Sequence, residues 1–397
     1  MVEPWLTIIG VSEHGLAGCS DGSRAAIERA ERIFGGARHL ALVQAGVRGQ
    51  EWPSPFDVAP VLAWRGRPVV VLASGDPFWY GVGGTLARHL PAHEWVAYPG
   101  PSTFSWAAAR LGWRLEDTAC LGLHSLPSST ARPWLRRGQR LIALLRDAAQ
   151  LHELAALASE LGYGASAGWA LQRLGGPHER VVPFVLHEPP RLPELQAPLA
   201  VAFWLCDGPA GLPVTPGLPD ACFVHDGVMT KSPMRALTLR ALAPRPGEVL
   251  WDLGAGAGSV AIEWCLTGGL AHAVERQALR AAHIQLNAQR LGVQPRLHVH
   301  ATSILEALPR LPDPQAVFVG GGFDTGVFDA LRARLPAGCR LVVNAVTLAT
   351  MACLQSLHAR WGGELWQFTI TQAQPLGGGH AWQPARPWMQ WMWEVEA

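Results

Sequence analysis

The chain almost lacks lysine. Lys231 is the only one, and arginine supplies every other cationic side chain among its 32 Lys and Arg residues. With abundant Ala, Gly and Pro, this bias marks a GC-rich bacterial genome rather than a mechanism, yet it singles out Lys231. An excess of charge is also missing. The formal net charge is +1 and neither end carries a charge run, so nothing points to a nucleic-acid groove or a polybasic membrane surface. The cysteines form no C-x-x-C. All seven are scattered, at 19, 120, 206, 222, 265, 339 and 353, which excludes a zinc knuckle or redox dithiol and leaves them as small core residues. No metal is expected. No segment approaches the run of about 20 apolar residues that spans a bilayer. At the N-terminus, Met1-Val-Glu-Pro-Trp5 places no basic stretch before an apolar one, so no secretory signal is read there. A soluble cytoplasmic protein, expected to be a homo-oligomer, follows as the working expectation.

What is present is apolar mass. Of 397 residues, 49% are hydrophobic, enough for two or three domains with proper cores. Short apolar runs alternate with amphipathic stretches, the rhythm of parallel sheets flanked by helices in an α/β fold. Strands are expected at Trp5–Val11, His39–Val43, Pro68–Ser74, Trp95–Tyr98, Arg140–Leu145, Arg180–Leu186 and Leu199–Leu205, with a helix over Ser23–Phe34. The segment Cys206–Asp220 then packs four prolines and three glycines into fifteen residues. It can hold neither helix nor central strand, and reads as a linker between residues 1–205 and 221–397. After it the alternation restarts. Strands are expected at Val249–Leu253, Ala271–Glu275, Leu297–Ala301, Ala316–Val319, Arg340–Val346, Leu365–Thr371 and Trp388–Val395. Helices are expected at Pro233–Ala243, Ser259–Leu266, Gln277–Leu291, Thr325–Leu335 and Ala349–Trp361. That is a Rossmann-like sheet ending in an antiparallel pair.

The most informative stretch is Val249-Leu-Trp-Asp-Leu-Gly-Ala-Gly-Ala-Gly-Ser-Val-Ala-Ile-Glu263. A strand runs into Gly254, Ala255, Gly256, Ala257 and Gly258, and a helix starts directly after. Glycines permit sharp turns and close backbone approach, and the helix N-terminus offers free N–H groups. Glu275 ends the next strand, 21 residues after Gly254, where a carboxylate can accept from both hydroxyls of a ribose. A dinucleotide or S-adenosylmethionine fits such a site. The dinucleotide fingerprint needs a third glycine where Ser259 stands, which argues against a dehydrogenase.

The G-x-G-x-G loop resembles the first motif of class I methyltransferases. Around it stand Pro219-Asp-Ala-Cys-Phe223, Met229-Thr-Lys-Ser-Pro-Met-Arg235 and Val317-Phe-Val-Gly-Gly-Gly322. Together these resemble the decarboxylating precorrin methyltransferase domain, over about 180 residues. The resemblance implies cofactor contacts at Thr230, Gly254 to Gly258, Glu275, Ser303 and Ile304. In place of that family's usual G-x-A/P-E-type segment stands Thr302-Ser-Ile304.

Residues 1–205 carry a different signature. Val71-Leu-Ala-Ser-Gly-Asp-Pro-Phe-Trp-Tyr-Gly-Val-Gly83 and Tyr98-Pro-Gly-Pro-Ser-Thr103 each close an apolar strand, where open α/β sheets bind ligands. The pair resembles the tetrapyrrole methylase family, whose two lobes would be residues 1–110 and 112–205. This implies cofactor contacts at Ser74, Gly75, Asp76, Tyr80, Gly81, Ser102 and Thr103. The family's G-x-G-P-G loop is replaced by Gly10-Val-Ser-Glu-His-Gly15, in which His14 is either a substrate contact or a solvated loop residue. Asp76 either caps its turn or organises the cleft.

The fusion, in this order, resembles the bifunctional precorrin methyltransferases of cobalamin biosynthesis. It implies two S-adenosylmethionine sites per chain. It also implies methylation of a precorrin-6 intermediate at carbons 5 and 15, with loss of carbon dioxide from the ring-C acetate, giving precorrin-8. Substrate carboxylates invite cationic partners, for which Lys231, Arg235 and Arg386 are candidates. His380, in Gly377-Gly-Gly-His380, is placed on a flap over the macrocycle. The alternative is a class I methyltransferase joined to an inactive N-terminal module that binds the tetrapyrrole or mediates assembly.

Overall fold

The computed structural model describes residues 4–195 and 197–396, so Met1, Val2 and Glu3 of the N-terminal reading lie outside the described residues. The chain divides into two compact units. The first comprises Met1–Ser128 and Trp134–Pro209, the second Ser129–Pro133 and Ala210–Ala397.

In the first unit, β1 (Leu6–Val11), β2 (Arg32–Gly35), β3 (Gly49–Glu51), β4 (Val69–Ser74) and β5 (Trp95–Tyr98) form a five-stranded sheet of order β3-β2-β4-β1-β5. Every pairing in it is parallel. Its central strands β1 and β4 are nearly wholly apolar because both faces are covered, one by Ile9, Val70 and Leu72 with their neighbours, the other by Ile8, Val69 and Val71. A second sheet of order β6-β7-β10-β8-β9 follows. Its strands are β6 (Thr118–Gly122), β7 (Arg140–Leu145), β8 (Ala167–Gln172), β9 (Arg180–Val185) and β10 (Leu199–Trp204). Only β6 and β7 run parallel; β10 inserts antiparallel between β7 and β8.

Two expected elements of this unit differ from those observed. The stretch read as one helix over Ser23–Phe34 is a helix at Asp21–Arg29, capped by the Ser20 hydroxyl accepting from the Ser23 N–H, and then the strand β2. Ile33 and Phe34 are fully buried in that strand, so tertiary burial overrides the helical pattern. Conversely, the strand expected at His39–Val43 is a helix, Ala37–Leu42, as its Ala- and Leu-rich composition favours. β6 and β8 escape the sequence reading because their Ala, Gly and Cys content has little intrinsic β preference.

The second unit is a seven-stranded sheet. Its strands are β11 (Val249–Leu253), β12 (Leu270–Val274), β13 (Leu297–His300), β14 (Ala316–Val319), β15 (Arg340–Ala345), β16 (Glu364–Phe368) and β19 (Trp388–Glu394). The order is β13-β12-β11-β14-β15-β19-β16. The first five run parallel, and β19 is antiparallel to both neighbours. Between β16 and β19 the chain makes a separate hairpin of β17 (Thr371–Leu376) and β18 (Gly379–Pro384). The single strand expected at Leu365–Thr371 therefore breaks after Phe368. Gly377 and Gly378 form the two-residue turn of this hairpin, the chemistry such turns favour. No helix among the described residues is long and apolar enough to cross a membrane.

One ion pair is sealed inside this unit. Arg235, in the helix Ser232–Leu242, is fully buried and donates from Nε to Glu263 Oε1 at 2.5 Å. Its Nη1 donates to the Thr230 carbonyl at 2.5 Å, its Nη2 to the Leu218 carbonyl, and its guanidinium lies 4.8 Å from the Phe223 ring centroid. Glu263 also accepts from the Gly217 and Leu218 N–H groups at 2.6 and 2.9 Å. The P-D-x-x-F and M-T-K-x-x-x-R elements thus meet around one buried charge. This corrects the expectation that Arg235 clamps a substrate carboxylate, because no face of the guanidinium is left for one. Removing one member of a buried pair strands the other. Arg235→Met is expected to lower the free energy of unfolding by about 3–5 kcal/mol, measured by denaturant titration; a loss within 1 kcal/mol would show Glu263 is satisfied by its backbone donors alone.

Candidate functional site

Each unit carries a cavity at the carboxyl ends of its parallel strands. In the first, β1, β4 and β5 end in loops that approach more closely than side chains allow. A Cβ on Gly10 would overlap the Gly75 carbonyl, and one on Gly75, at φ +56°, would come 2.6 Å from the Pro101 carbonyl. Gly75 N–H donates to the Val11 carbonyl at 3.1 Å and Gly100 N–H to the Gly75 carbonyl at 3.0 Å. The cavity they border has a volume of about 460 Å³. Ser74, Gly75, Asp76, Tyr80, Gly81, Ser102 and Thr103, the residues expected to hold cofactor here, all line it.

Their hydrogen bonds show what remains free. Asp76 Oδ1 accepts from the Phe78 N–H at 2.8 Å, so Asp76 both closes its turn and faces the cavity. Ser102 Oγ accepts from the Ser105 N–H at 3.1 Å and caps the helix Thr103–Leu111. Tyr80 has φ +56° and donates from its hydroxyl to the Cys120 carbonyl at 2.9 Å, while the Trp79 ring lies tilted 4.9 Å from that of Phe104. Burial raises the Tyr80 phenol above its usual pKa. His14 is exposed and lies outside the lining.

In the second unit the cavity is about 370 Å³ and is lined by Gly254, Glu275, Ser303 and Ile304, with Val228, Arg280 and Gly320 to Gly322. Gly254 has φ +67°, and a Cβ there would overlap the Gly321 carbonyl. Glu275 is buried. Its Oε2 accepts from the Gly256 N–H at 3.0 Å and its Oε1 from the Gln277 N–H at 2.9 Å. Each oxygen keeps a lone pair for a ligand hydroxyl. Ser303 caps the short helix Ile304–Ala307 through a capping box with Glu306. The neighbouring Ala255, Gly256, Ala257 and Gly258 shape the turn without lining the cavity, and Thr230 spends its carbonyl on Arg235. Lys231 is half-exposed, 3.7 Å from Asp220. His380 and Arg386 are exposed, on β18 and just beyond it, and do not line this cavity.

The residues fit S-adenosylmethionine at both places. The second cavity has the carboxylate for a ribose beside a glycine turn that brings the backbone close, and the first has a polar turn beside aromatic walls. Among the described residues no group of three or more His, Cys, Asp or Glu could hold a metal ion.

The family described as "Tetrapyrrole (Corrin/Porphyrin) Methylases" matches residues 6–190, and the "Precorrin methyltransferase domain" matches residues 221–395. A Sinorhizobium protein named precorrin-6Y C(5,15)-methyltransferase [decarboxylating] is 44% identical over 403 residues, covering 99% of this chain and 97% of that protein. The chain belongs to the decarboxylating precorrin-6Y C5,15-methyltransferases. A Mycobacterium tuberculosis relative of the same name is 37% identical, covering 97% of this chain and 98% of its own length. A Pyrobaculum aerophilum protein named probable cobalt-precorrin-6B C(15)-methyltransferase (decarboxylating) is 32% identical over 184 residues, 44% of this chain but 93% of the relative. As a member of the precorrin-6Y C5,15-methyltransferases, the chain is an S-adenosylmethionine-dependent methyltransferase of cobalamin biosynthesis.

Several residues of this methyltransferase's sites escape the sequence reading. Gly10 appears there only as part of a departed loop, yet it is where three strand ends converge. Glu13, Arg38 and His39 line the first cavity, and the mistaken strand at His39–Val43 hides the last of them. Arg280 pairs with Asp226 at 2.8 Å beside the second cavity, a contact 54 residues apart that no spacing announces.

Asp252, under the glycine loop, is fully buried. Its Oδ2 accepts from the Ala261 N–H at 3.0 Å and its Oδ1 has no partner. Burial, with the nearby Glu275 charge, pushes its pKa up to about 7. The folded chain thus keeps a proton that the unfolded chain releases near pH 4, so the stability it contributes is present at low pH and lost as pH rises from about 4 to about 7. Asparagine has no such proton. The melting-temperature difference, Asp252→Asn minus wild type, is therefore expected to rise across that interval and flatten above it. A pH-independent difference would contradict the assigned burial effect.

Proposed function

We propose that each unit is a complete methyl-transfer centre with its own S-adenosylmethionine site. In this reading the first unit methylates carbon 5 of a precorrin-6 intermediate. The second methylates carbon 15 and removes the ring-C acetate carboxyl as carbon dioxide, giving precorrin-8. The observation that carries the reading is the pair of unlike cavities, one at the strand ends of each unit, lined by two unrelated loop types. The Pyrobaculum relative, which spans less than half of this chain yet is named for the carbon 15 and decarboxylating steps, supports assigning those steps to a single unit.

Bound S-adenosylmethionine supplies an electrophilic methyl group on a sulfonium. The chain's own residues position the reactants. In-line displacement needs the carbon nucleophile held about 3–3.5 Å from that methyl, and the reduced macrocycle's enamine nitrogens push the electrons, so no strong protein base is required. Glu275 accepts from ribose hydroxyls while its backbone bonds hold the carboxylate still. Asp76 does the corresponding polar work in the first unit, and Trp79, Tyr80 and Phe104 keep water from the reacting carbon. Carbon dioxide leaves with its electron pair passing into the ring system. Lys231, His380 and Arg386 are the cationic or polar side chains proposed to meet substrate carboxylates in the second unit, the hairpin β17–β18 acting as a flap. We further propose a cytoplasmic homo-oligomer that engages neither nucleic acid nor membrane.

Single substitutions in each unit test the division. Asp76→Ala is expected to cost about 0.5–2 kcal/mol of stability through the lost turn bond. It should leave a product without the carbon 5 methyl that has lost the acetate carboxyl. Gly256→Val places a side chain at φ +58°, with its Cβ 3.1 Å from the Val228 carbonyl. It should give a product lacking the carbon 15 methyl and retaining the carboxyl. Mass spectrometry reads both. A fully processed product at the normal rate from either variant would contradict the assignment of that loop.

A further inference from the structure

One end of the first-unit cavity holds a charge cluster that methyl transfer as described does not use. Glu13, in the loop after β1, has a side chain only 5% exposed. Its Oε1 accepts from Arg38 Nη1, and its Oε2 accepts from Arg173 Nε at 3.2 Å. The two arginines are 34% and 33% exposed. The carboxylate is therefore hidden while both guanidinium groups stay about one-third exposed; Arg38 lines the cavity and Arg173 stands beside it, outside the lining, and the cluster carries one net positive charge. Arg38 Nη2 also donates to Ser74 Oγ at 2.8 Å and lies 2.8 Å from His39 Nε2.

Because a guanidinium cannot accept, His39 Nε2 must be the acceptor. The hydrogen of the neutral ring then sits on Nδ1. Burial, with the Arg38 charge, lowers the His39 pKa to about 4, so the ring is neutral at neutral pH. Its Nδ1 is buried without a hydrogen-bond partner, and a Cβ on the cavity-lining Gly36 would stand 3.6 Å from it. An unpaired buried N–H is costly unless a ligand satisfies it.

The backbone gives an independent sign. Arg173 has φ +49°, a left-handed conformation uncommon for a residue other than glycine. Such strain gathers at functional sites. Three residues on, Gly176 packs so close to Glu13 that a Cβ there would overlap the Glu13 Cβ. The loop after β8 is thus drawn onto the loop after β1, and Arg173 is fixed beside Arg38.

We propose that Arg38 and Arg173, held by Glu13, receive a ligand carboxylate at this end of the cavity, with the His39 Nδ1–H as an additional donor. Planar guanidinium groups suit a carboxylate's two oxygens. The carboxylate belongs either to an acetate or propionate side chain of the tetrapyrrole or to the methionine end of S-adenosylmethionine. This deepens, and rests on, the assignment of carbon 5 methylation to the first unit.

The test uses the full chain with Arg38→Met and Arg173→Met. It measures carbon 5 methylation against precorrin concentration, and S-adenosylhomocysteine affinity by calorimetry. Loss of a charged hydrogen bond should weaken the ligand about tenfold. If the carboxylate is the tetrapyrrole's, KM for the precorrin rises about tenfold in each variant, with kcat and S-adenosylhomocysteine affinity within about twofold. If it is the cofactor's, the S-adenosylhomocysteine affinity of one site falls about tenfold instead. Both quantities within about twofold of wild type in both variants would overturn the proposal. Should either methionine variant fail to fold, the lysine replacement at the same position, which keeps charge but loses the planar fork, should show a smaller shift of about threefold in the same quantity; no shift would overturn the proposal. A wild-type chain that adds no methyl at carbon 5 would overturn the underlying assignment and this proposal with it, whereas normal wild-type methylation with unaffected variants would overturn the proposal alone.

Discussion

Both cavities depend on backbone segments lying closer together than a Cβ permits. In the first unit the carboxyl ends of β1, β4 and β5 converge at Gly10, Gly75 and Gly100; in the second, β11 and β14 converge at Gly254 and Gly321. Parallel sheets splay their helices apart at these ends. The close approach turns that gap into a small, walled cavity. A larger residue at Gly10 or Gly254 would push the loops apart, and with them the side chains that line the cavities. The polar groups follow from the same geometry. Asp76 sits two residues and Glu275 one residue beyond a strand end, and both use backbone N–H groups to fix themselves toward the ligand space.

Charge burial divides the cationic residues into two kinds. Arg235 is consumed by structure: it is sealed with Glu263 and three carbonyl or carboxylate acceptors, and it ties the start of the second unit to its glycine-loop helix. Arg38 and Arg173 are anchored by a hidden glutamate but stay about one-third exposed. From sequence, an arginine in a characteristic motif and an arginine in an unremarked stretch look like site and background respectively. The structure reverses that ranking, because availability depends on how many acceptors surround a guanidinium and not on the motif that contains it.

Much was legible before the structure. The glycine loop, Glu275, the Ser-Gly-Asp-Pro turn and the Pro-Gly-Pro-Ser loop are local patterns in which one backbone conformation needs particular residues at fixed spacing. The parallel strands β1, β4, β11 and β14 show as apolar runs since both faces are covered. What stayed hidden is non-local. Glu13 and Arg173 are 160 residues apart in sequence, and β10 inserts between β7 and β8 by a pairing that no spacing encodes. The helix–strand exchanges around residues 30–43 arise where local propensity and tertiary burial disagree. They concealed the stretch carrying Arg38 and His39.

If, as proposed, each of the two unlike cavities binds the methyl donor, a sequential double methylation is chemically economical, since each can be tuned to its own carbon. The claim at the centre of this account is that both cavities bind the donor. Calorimetric titration of the intact chain with S-adenosylhomocysteine tests it most directly. The account predicts a stoichiometry of about two per chain at saturation. A stoichiometry of one would contradict it and leave one of the two glycine-bounded cavities without its ligand.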